Sequence, residues 1–196
     1  GYQSANSCRF NTGSSDSLTK SFGSAGNRAV WTWSAWIKVG SDTGFNGLFT
    51  AGDWSGGATA TGVIIYANTF NIYWNSPAGG TSTSAKYRDP SAWYHVVLQA
   101  NTSTLKLYIN GTEEISKSIS GSGEINNSST EHAIGKYSNA ASTFNGYMSE
   151  ICFIDGTALA PTSFGEFNSQ TGIWVPKSVT GLTFGTNGFY LPFTNA

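Results

Sequence analysis

Large apolar side chains recur at every second position in short runs closed by Gly, Asn, Ser or Pro, and helical periodicity is nearly absent. Trp31-Thr32-Trp33-Ser34-Ala35-Trp36-Ile37-Lys38 reads as a strand, as do Gly62 to Ala67, Phe70 to Asn75, Trp93 to Ala100, Leu105 to Asn110, His132 to Gly135 and Tyr147 to Ile154. Asn110-Gly111 supplies the positive φ values of a tight hairpin, and Asp155-Gly156 is expected to close its strand in the same way. Strands joined by hairpins and Gly/Ser loops pair antiparallel, so the reading is all-β, a sandwich of two antiparallel sheets. The one helical start signal, at Ala160-Pro161-Thr162-Ser163, predicts a single turn. Beyond it Ile173, Trp174, Phe189, Leu191 and Phe193 are too apolar for a free tail and are expected to be buried, on the sandwich or on a neighbouring chain. Residues 1–160 are therefore assigned to the sandwich, and 161–196 to a turn and extended segment of the same domain.

Composition narrows the function. With 10 Lys and Arg against 11 Asp and Glu, and a net charge of -1, the chain has no basic surplus to follow a phosphate backbone, so nucleic acid is not an expected partner. At 14% aromatic content it is a folded domain with a polar, uncharged surface rather than a disordered linker. No apolar run reaches the roughly 18 to 20 residues that span a bilayer, so membrane insertion is not expected. No basic-then-apolar leader opens the chain, and the start at Gly1-Tyr2 reads as a trimmed chain or a domain cut from a longer protein. Cys8 shares a face with Phe10, and Cys152 lies opposite Ile151 and Phe153. If both Phe10 and Phe153 point inward, the two thiols cannot bond.

Catalysis has little to work with. A glycosidase needs two carboxylates on one face at suitable spacing, whereas Glu113 and Glu114 are adjacent and Glu150 and Asp155 fall on opposite faces. The E-x-D-x-x-E arrangement of sandwich glucanases is missing. His95 reads as a partly buried strand residue and His132 as a loop-edge residue, so no Ser-His-Asp site is expected and the protein is read as non-enzymatic. No cofactor is expected. Calcium is a secondary reading for the loops Asp53-Trp54-Ser55-Gly56 and Asp42-Thr43-Gly44-Phe45-Asn46, against the alternative that each Asp caps its own turn.

Aromatics beside Gly, Asn and Asp are the stronger hint, since sugars offer C–H faces to rings and hydroxyls to amides and carboxylates. In Phe70-Asn71-Ile72-Tyr73-Trp74-Asn75 the apolar set faces the core, leaving Asn71, Tyr73 and Asn75 on the other side. Trp54, in a Gly-rich loop, has no periodic partner. The candidate carbohydrate site is therefore Trp54 and Tyr73 for stacking, with Asp53, Asn71 and Asn75 as hydrogen-bonding partners. Trp31, Trp33, Trp36, Trp74 and Trp93 read as core or near-core residues.

Ala25-Gly26-Asn27-Arg28 followed by Trp31 to Lys38, then Trp93-Tyr94-His95-Val96-Val97 with Leu107-Tyr108-Ile109-Asn110-Gly111, resembles laminin G-like domains of the concanavalin A-like jelly-roll superfamily. Phe144-Asn145-Gly146-Tyr147-Met148-Ser149-Glu150-Ile151, Phe153-Ile154-Asp155-Gly156, Thr171-Gly172-Ile173-Trp174-Val175-Pro176-Lys177 and Gly188-Phe189-Tyr190-Leu191 are similar to the version found in structural proteins of tailed bacteriophages. The resemblance implies two curved sheets whose first and last core strands pair, adhesion or glycan binding without catalysis, and a place on the virion. The partners it implies are a host-cell-surface glycan together with identical copies or other virion proteins. The family's calcium ligands find no residue-by-residue match here. The alternatives are a purely structural capsid decoration or assembly subunit, or an extracellular cellular adhesion domain.

Overall fold

The computed structural model describes residues 2–41, 44–54, 59–76, 79–137 and 142–194. Among the described residues fifteen strands follow in order: β1 (Cys8–Phe10), β2 (Leu18–Ser21), β3 (Val30–Val39), β4 (Asn46–Gly52), β5 (Ala60–Tyr66), β6 (Thr69–Tyr73), β7 (Thr81–Ser82), β8 (Tyr94–Asn101), β9 (Thr104–Ile109), β10 (Thr112–Ser118), β11 (Glu131–Ile134), β12 (Gly146–Asp155), β13 (Gly165–Phe167), β14 (Trp174–Pro176) and β15 (Phe189–Leu191). A seven-stranded sheet runs β1-β12-β3-β8-β9-β10, with β15 also on β12, and a six-stranded sheet runs β2-β11-β4-β5-β6-β7. Every pairing is antiparallel, and the first strand meets β12 through Cys8↔Met148 and Phe10↔Gly146. No helix among the described residues is long and apolar enough to cross a membrane.

The core lies where the alternating faces of the two sheets meet. Trp31, Trp33, Ala35, Ile37 and Val39 of β3 point inward, as do Val63 and Ile65 of β5 and Phe70 and Ile72 of β6. The sheets interlock through large rings: Trp33 stacks on Phe49 at 5.5 Å and Trp31 on Trp74 at 6.4 Å. Each such fully buried side chain contributes roughly 1.5–3 kcal/mol through the apolar surface it removes from water. One of the seven Trp departs from the expected core or near-core role. Trp93, just before β8, is 37% exposed, whereas Trp36, at an even position of β3 on the outer face, is buried against His95.

The hairpin at Asn110 and Gly111 has both residues at positive φ, 49° and 81°, as its sequence demands. Asp155-Gly156 is not such a hairpin. Only Gly156 has positive φ, and the chain goes on to a single 3₁₀ turn at Pro161–Ser163. The Asp155 carboxylate instead ties three segments together, accepting from Asn27 N, Asn126 Nδ2 and Asn187 N. Strand β12 carries a bulge between Ser149 and Cys152, with Glu150 at φ 51°. The extra residue moves the inward phase from Met148 to Ile151 and Phe153 and leaves Cys152 on the outer face. Cys8 and Cys152 are both free thiols.

Residues 161–184 return over the outer face of the seven-stranded sheet, and β15 then joins that sheet on β12. Phe164 and Val179, with Leu182 and Phe184, cover Val97, Cys152 and Ile154. Trp174 is buried, and Phe189, Leu191 and Phe193 pack half-buried against the main core. Ile173 departs from expectation at 62% exposed: it lies at the tip of the β13–β14 hairpin, where its carbonyl accepts from Asn168 N and its side chain has no sheet beneath it.

Candidate functional site

The outer face of the six-stranded sheet carries a row of aromatic rings. Outward positions of β5 and β6 supply Tyr66 and Tyr73, because their neighbours in the alternation, Ile65 and Ile72, point to the core. The ends of β4 and β11 lead into Trp54 and Tyr137, and Phe45 precedes β4. Trp54 meets Tyr73 edge-on at 5.0 Å and Tyr137 at 4.6 Å; Tyr137 lies 6.0 Å from Phe45, which stacks flat on Tyr66 at 4.1 Å. Trp54 and Tyr137 form a small cluster of their own with Ala60 and Ile64. Phe45 and Tyr66 are 45% and 42% exposed, so the row is anchored at one end and open at the other.

Trp54 and Tyr73 thus share a side of the sandwich and touch. Trp54 is not a free loop residue: it is 9% exposed, and its indole Nε1 is buried without a hydrogen-bond partner among the described residues. Burial also raises the Tyr73 and Tyr137 phenols above their usual range, so both stay neutral hydroxyls. Asp53 is half-buried beside the row and lines a polar cavity of about 360 Å³ with Thr59, Glu124, Ser129, Thr130 and Glu131. The two amides serve the fold. Asn71 Nδ2 donates to Thr69 O and Thr69 Oγ1, while its Oδ1 accepts from Ser82 Oγ. Asn75, at φ 48°, donates from Nδ2 to Ser122 O at 2.6 Å. Phe45, Tyr66 and Tyr137 escape the sequence reading. Tyr66 lies two positions beyond Ile64 on the same strand face, and Phe45 belongs to a loop considered for calcium.

Neither histidine is set up for catalysis. His95 is fully buried between Trp36 and Trp174, and its Nε2 lies 2.9 Å from Ser34 Oγ. Trp174 Nε1 donates to His95 Nδ1 at 3.0 Å, and because an indole N–H can only donate, the imidazole proton resides on Nε2 and points at Ser34. Such a histidine cannot take a proton from the serine, and desolvation pushes its pKa down to about 3. His132 is not a loop-edge residue: it is buried against Phe22 at 4.4 Å, accepts from Asn126 N at Nε2, and is driven down to about 4 by desolvation. The buried carboxylates are engaged in structure. Glu124 pairs with Arg28 at 3.1 Å and accepts from Asn127 and Thr130, and Glu150 accepts from Tyr2 and Tyr190. Among the described residues no group of three His, Cys, Asp or Glu is arranged to hold a metal. Asp42, Thr43, Ser55 and Gly56 of the loops considered for calcium lie outside the described residues.

Residues 11–162 match a laminin G-type family described as the concanavalin A-like lectin/glucanases superfamily. No curated protein sequence matches the chain. Among solved structures, the mouse laminin alpha1 chain, domains LG4-5, superposes with a TM-score of 0.58 at 13% identity, over 81% of this chain and 44% of that one. The CBM40 of a Ruminococcus gnavus IT-sialidase gives 0.55 at 15% identity, over 74% and 95% of the two chains. The enzymatically active domain of bacteriophage CBA120 tailspike protein 2 gives 0.53 at 15% identity, over 80% and 26%. The chain thus spans less than half of the laminin and tailspike chains, and at these identities the likeness is one of fold. Two facing antiparallel sheets joined in jelly-roll order, together with a family match over most of the length, establish that this chain belongs to the concanavalin A-like lectin/glucanases superfamily.

Proposed function

We propose that this domain binds carbohydrate through the aromatic row on the outer face of its six-stranded sheet, without hydrolysing it, and serves as an adhesion domain on the particle of a tailed bacteriophage. The observation that carries this reading is the continuity of the open Phe45–Tyr66 stack with the anchored Tyr137–Trp54–Tyr73 cluster. Rings held from behind lose little entropy when a sugar's C–H face settles on them. Asp53 supplies a hydrogen-bond acceptor at the anchored end, whereas Asn71 and Asn75 act by holding the strand in shape. The absence of catalysis is supported by the His95 tautomer and by the structural engagement of Glu124 and Glu150. The virion context is supported by the resemblance of the segments around Phe144 and Thr171 to phage structural proteins. A CBM40 and a phage tailspike domain share the fold, which is compatible with both parts of the reading. The C-terminal segment packs on its own sheet, which favours a self-contained binding domain over a subunit that lends this segment to a neighbour.

The test is a glycan array with the purified domain, with and without EDTA, repeated with Phe45→Ala and Tyr66→Ala. Binding that both substitutions weaken is expected. Undiminished binding by both variants overturns the assignment of the face, and release of reducing sugar from a bound polysaccharide, lost on Glu150→Gln, overturns the non-enzymatic reading.

A further inference from the structure

A second groove lies on the opposite side of the molecule, over the outer face of the seven-stranded sheet, with a volume of about 560 Å³. We infer that it is a separate binding site for an uncharged saccharide, one or two rings long, with Trp93 as its stacking surface and the edge of the buried Trp36 in its floor. It does not depend on the aromatic row, which lies across the full thickness of the sandwich.

Three observations converge. The first is a rigid platform. Trp36 lies 5.0 Å from His95, which lies 5.9 Å from Trp174, and the planes of each pair are within 27° of parallel. The Trp174 N–H holds the imidazole in place, so the indole of Trp36 rests on a stack that cannot turn, while Trp93 at the groove stands 37% exposed.

The second is the chemistry of the rim. Gln3, Asn6 and Asn168 line the groove, and the side-chain amides of Gln3 and Asn6 make no hydrogen bond among the described residues. Asn168 uses Oδ1 for the backbone of Gln170 and Thr171, leaving its Nδ2 available. Amides offer a donor and an acceptor side by side, which matches vicinal hydroxyls, and no Lys, Arg, Asp or Glu lines the groove. A charged ligand would give up its hydration without a countercharge, and a wholly apolar one would strand the amides.

The third is the fixed wall. The N-terminal segment forms one side and is pinned to β12, with Ser149 Oγ donating to Asn6 O and bonding Ser4 Oγ at 2.5 Å, and with Tyr2 donating to Glu150 at 3.0 Å. A volume of this size falls within the roughly 300–1,000 Å³ of small-ligand sites. The groove is therefore shaped before any ligand arrives.

The test follows the Trp93 indole N–H in ¹H–¹⁵N spectra of the intact domain. It is titrated with uncharged cello-, malto-, xylo-, manno- and chito-oligosaccharides, and in parallel with sialyllactose and oligogalacturonate. At least one uncharged oligosaccharide is expected to shift that resonance saturably, and the acidic ones to leave it in place. Trp93→Ala should weaken this binding roughly tenfold or more, and Gln3→Ala severalfold, each with an unchanged melting temperature. Phe45→Ala with Tyr66→Ala should leave it intact, which separates this groove from the aromatic row. An indole that no uncharged oligosaccharide moves at millimolar concentration overturns the inference. So does an equal response to the acidic sugars, or a response that disappears with Phe45 and Tyr66 and survives Trp93→Ala.

Discussion

Trp174, on the C-terminal hairpin, donates its indole N–H to Nδ1 of His95 at the start of β8, at 3.0 Å. One hydrogen bond between residues 79 apart fastens the returning segment to the sheet and decides where the imidazole carries its proton. Removing the donor while keeping the ring, by Trp174→Phe, leaves a buried acceptor without a partner and should cost about 1–3 kcal/mol. Urea denaturation of the variant measures this. A loss below a few tenths of a kcal/mol would mean that the contact is packing alone.

Both histidines make the fold sensitive to acid. Their folded pKa values are pushed down, to about 3 for His95 and about 4 for His132, from an ordinary 6.5, in each case chiefly by desolvation. Between the ordinary and the depressed values the unfolded chain binds more protons than the native one, so this contribution to stability is full above about pH 6.5 and is lost progressively as the pH falls toward 4 and 3. Calorimetric melting temperatures should be level from neutral to mildly alkaline pH and should drop steadily below pH 6. Histidine ring resonances that titrate near 6.5 in the folded protein would contradict this.

The C-terminal segment is expected to be indispensable. Removing residues 171–196 bares Val97, Cys152 and Ile154 and takes β15 from the edge of β12. Each large apolar group uncovered costs roughly 1.5–3 kcal/mol, so the truncated chain should aggregate or unfold. Ile173→Ser, at the exposed hairpin tip, should stay within about 0.5 kcal/mol of the parent. Gly111→Ala should be harmful on two counts: φ is 81°, and the new Cβ would sit 2.6 Å from the Trp174 ring. Thermal unfolding of the three variants ranks them.

On the aromatic row, stability and binding should separate by position. Phe45→Ala and Tyr66→Ala remove open rings and should cost roughly 1–3 kcal/mol of carbohydrate affinity with little change in melting temperature. Trp54→Ala empties the centre of a buried cluster and should lose several kcal/mol of stability as well, about 3 kcal/mol or more if the site cannot collapse. Calorimetric titration with a glycan identified on the array, paired with thermal melts, reads both quantities.

Local sequence sufficed wherever one side of a strand faces the core and the other faces something more polar. The alternation in Phe70 to Asn75 predicts which side chains enter the core, and the same rule places Cys152 outward and keeps it from Cys8. The Asn110-Gly111 turn is equally local, since only residues tolerant of positive φ can make it. Strand β4 was not legible: Asn46–Gly52 is buried on both faces, because Lys136 and Tyr137 cross one side and the core fills the other, so its sequence has no reason to alternate. Trp36 shows the same limit from the opposite direction. Its position in β3 puts it on the outer face, but only the returning segment, through Trp174 and His95, turns that face into a covered one. Period two therefore assigned faces, and contacts between residues distant in sequence decided which of those faces meets water, which meets another part of the chain, and which rings are gathered into one row. A side chain's burial is a sum over neighbours, and in a sandwich of crossing connections most of those neighbours are far away along the chain.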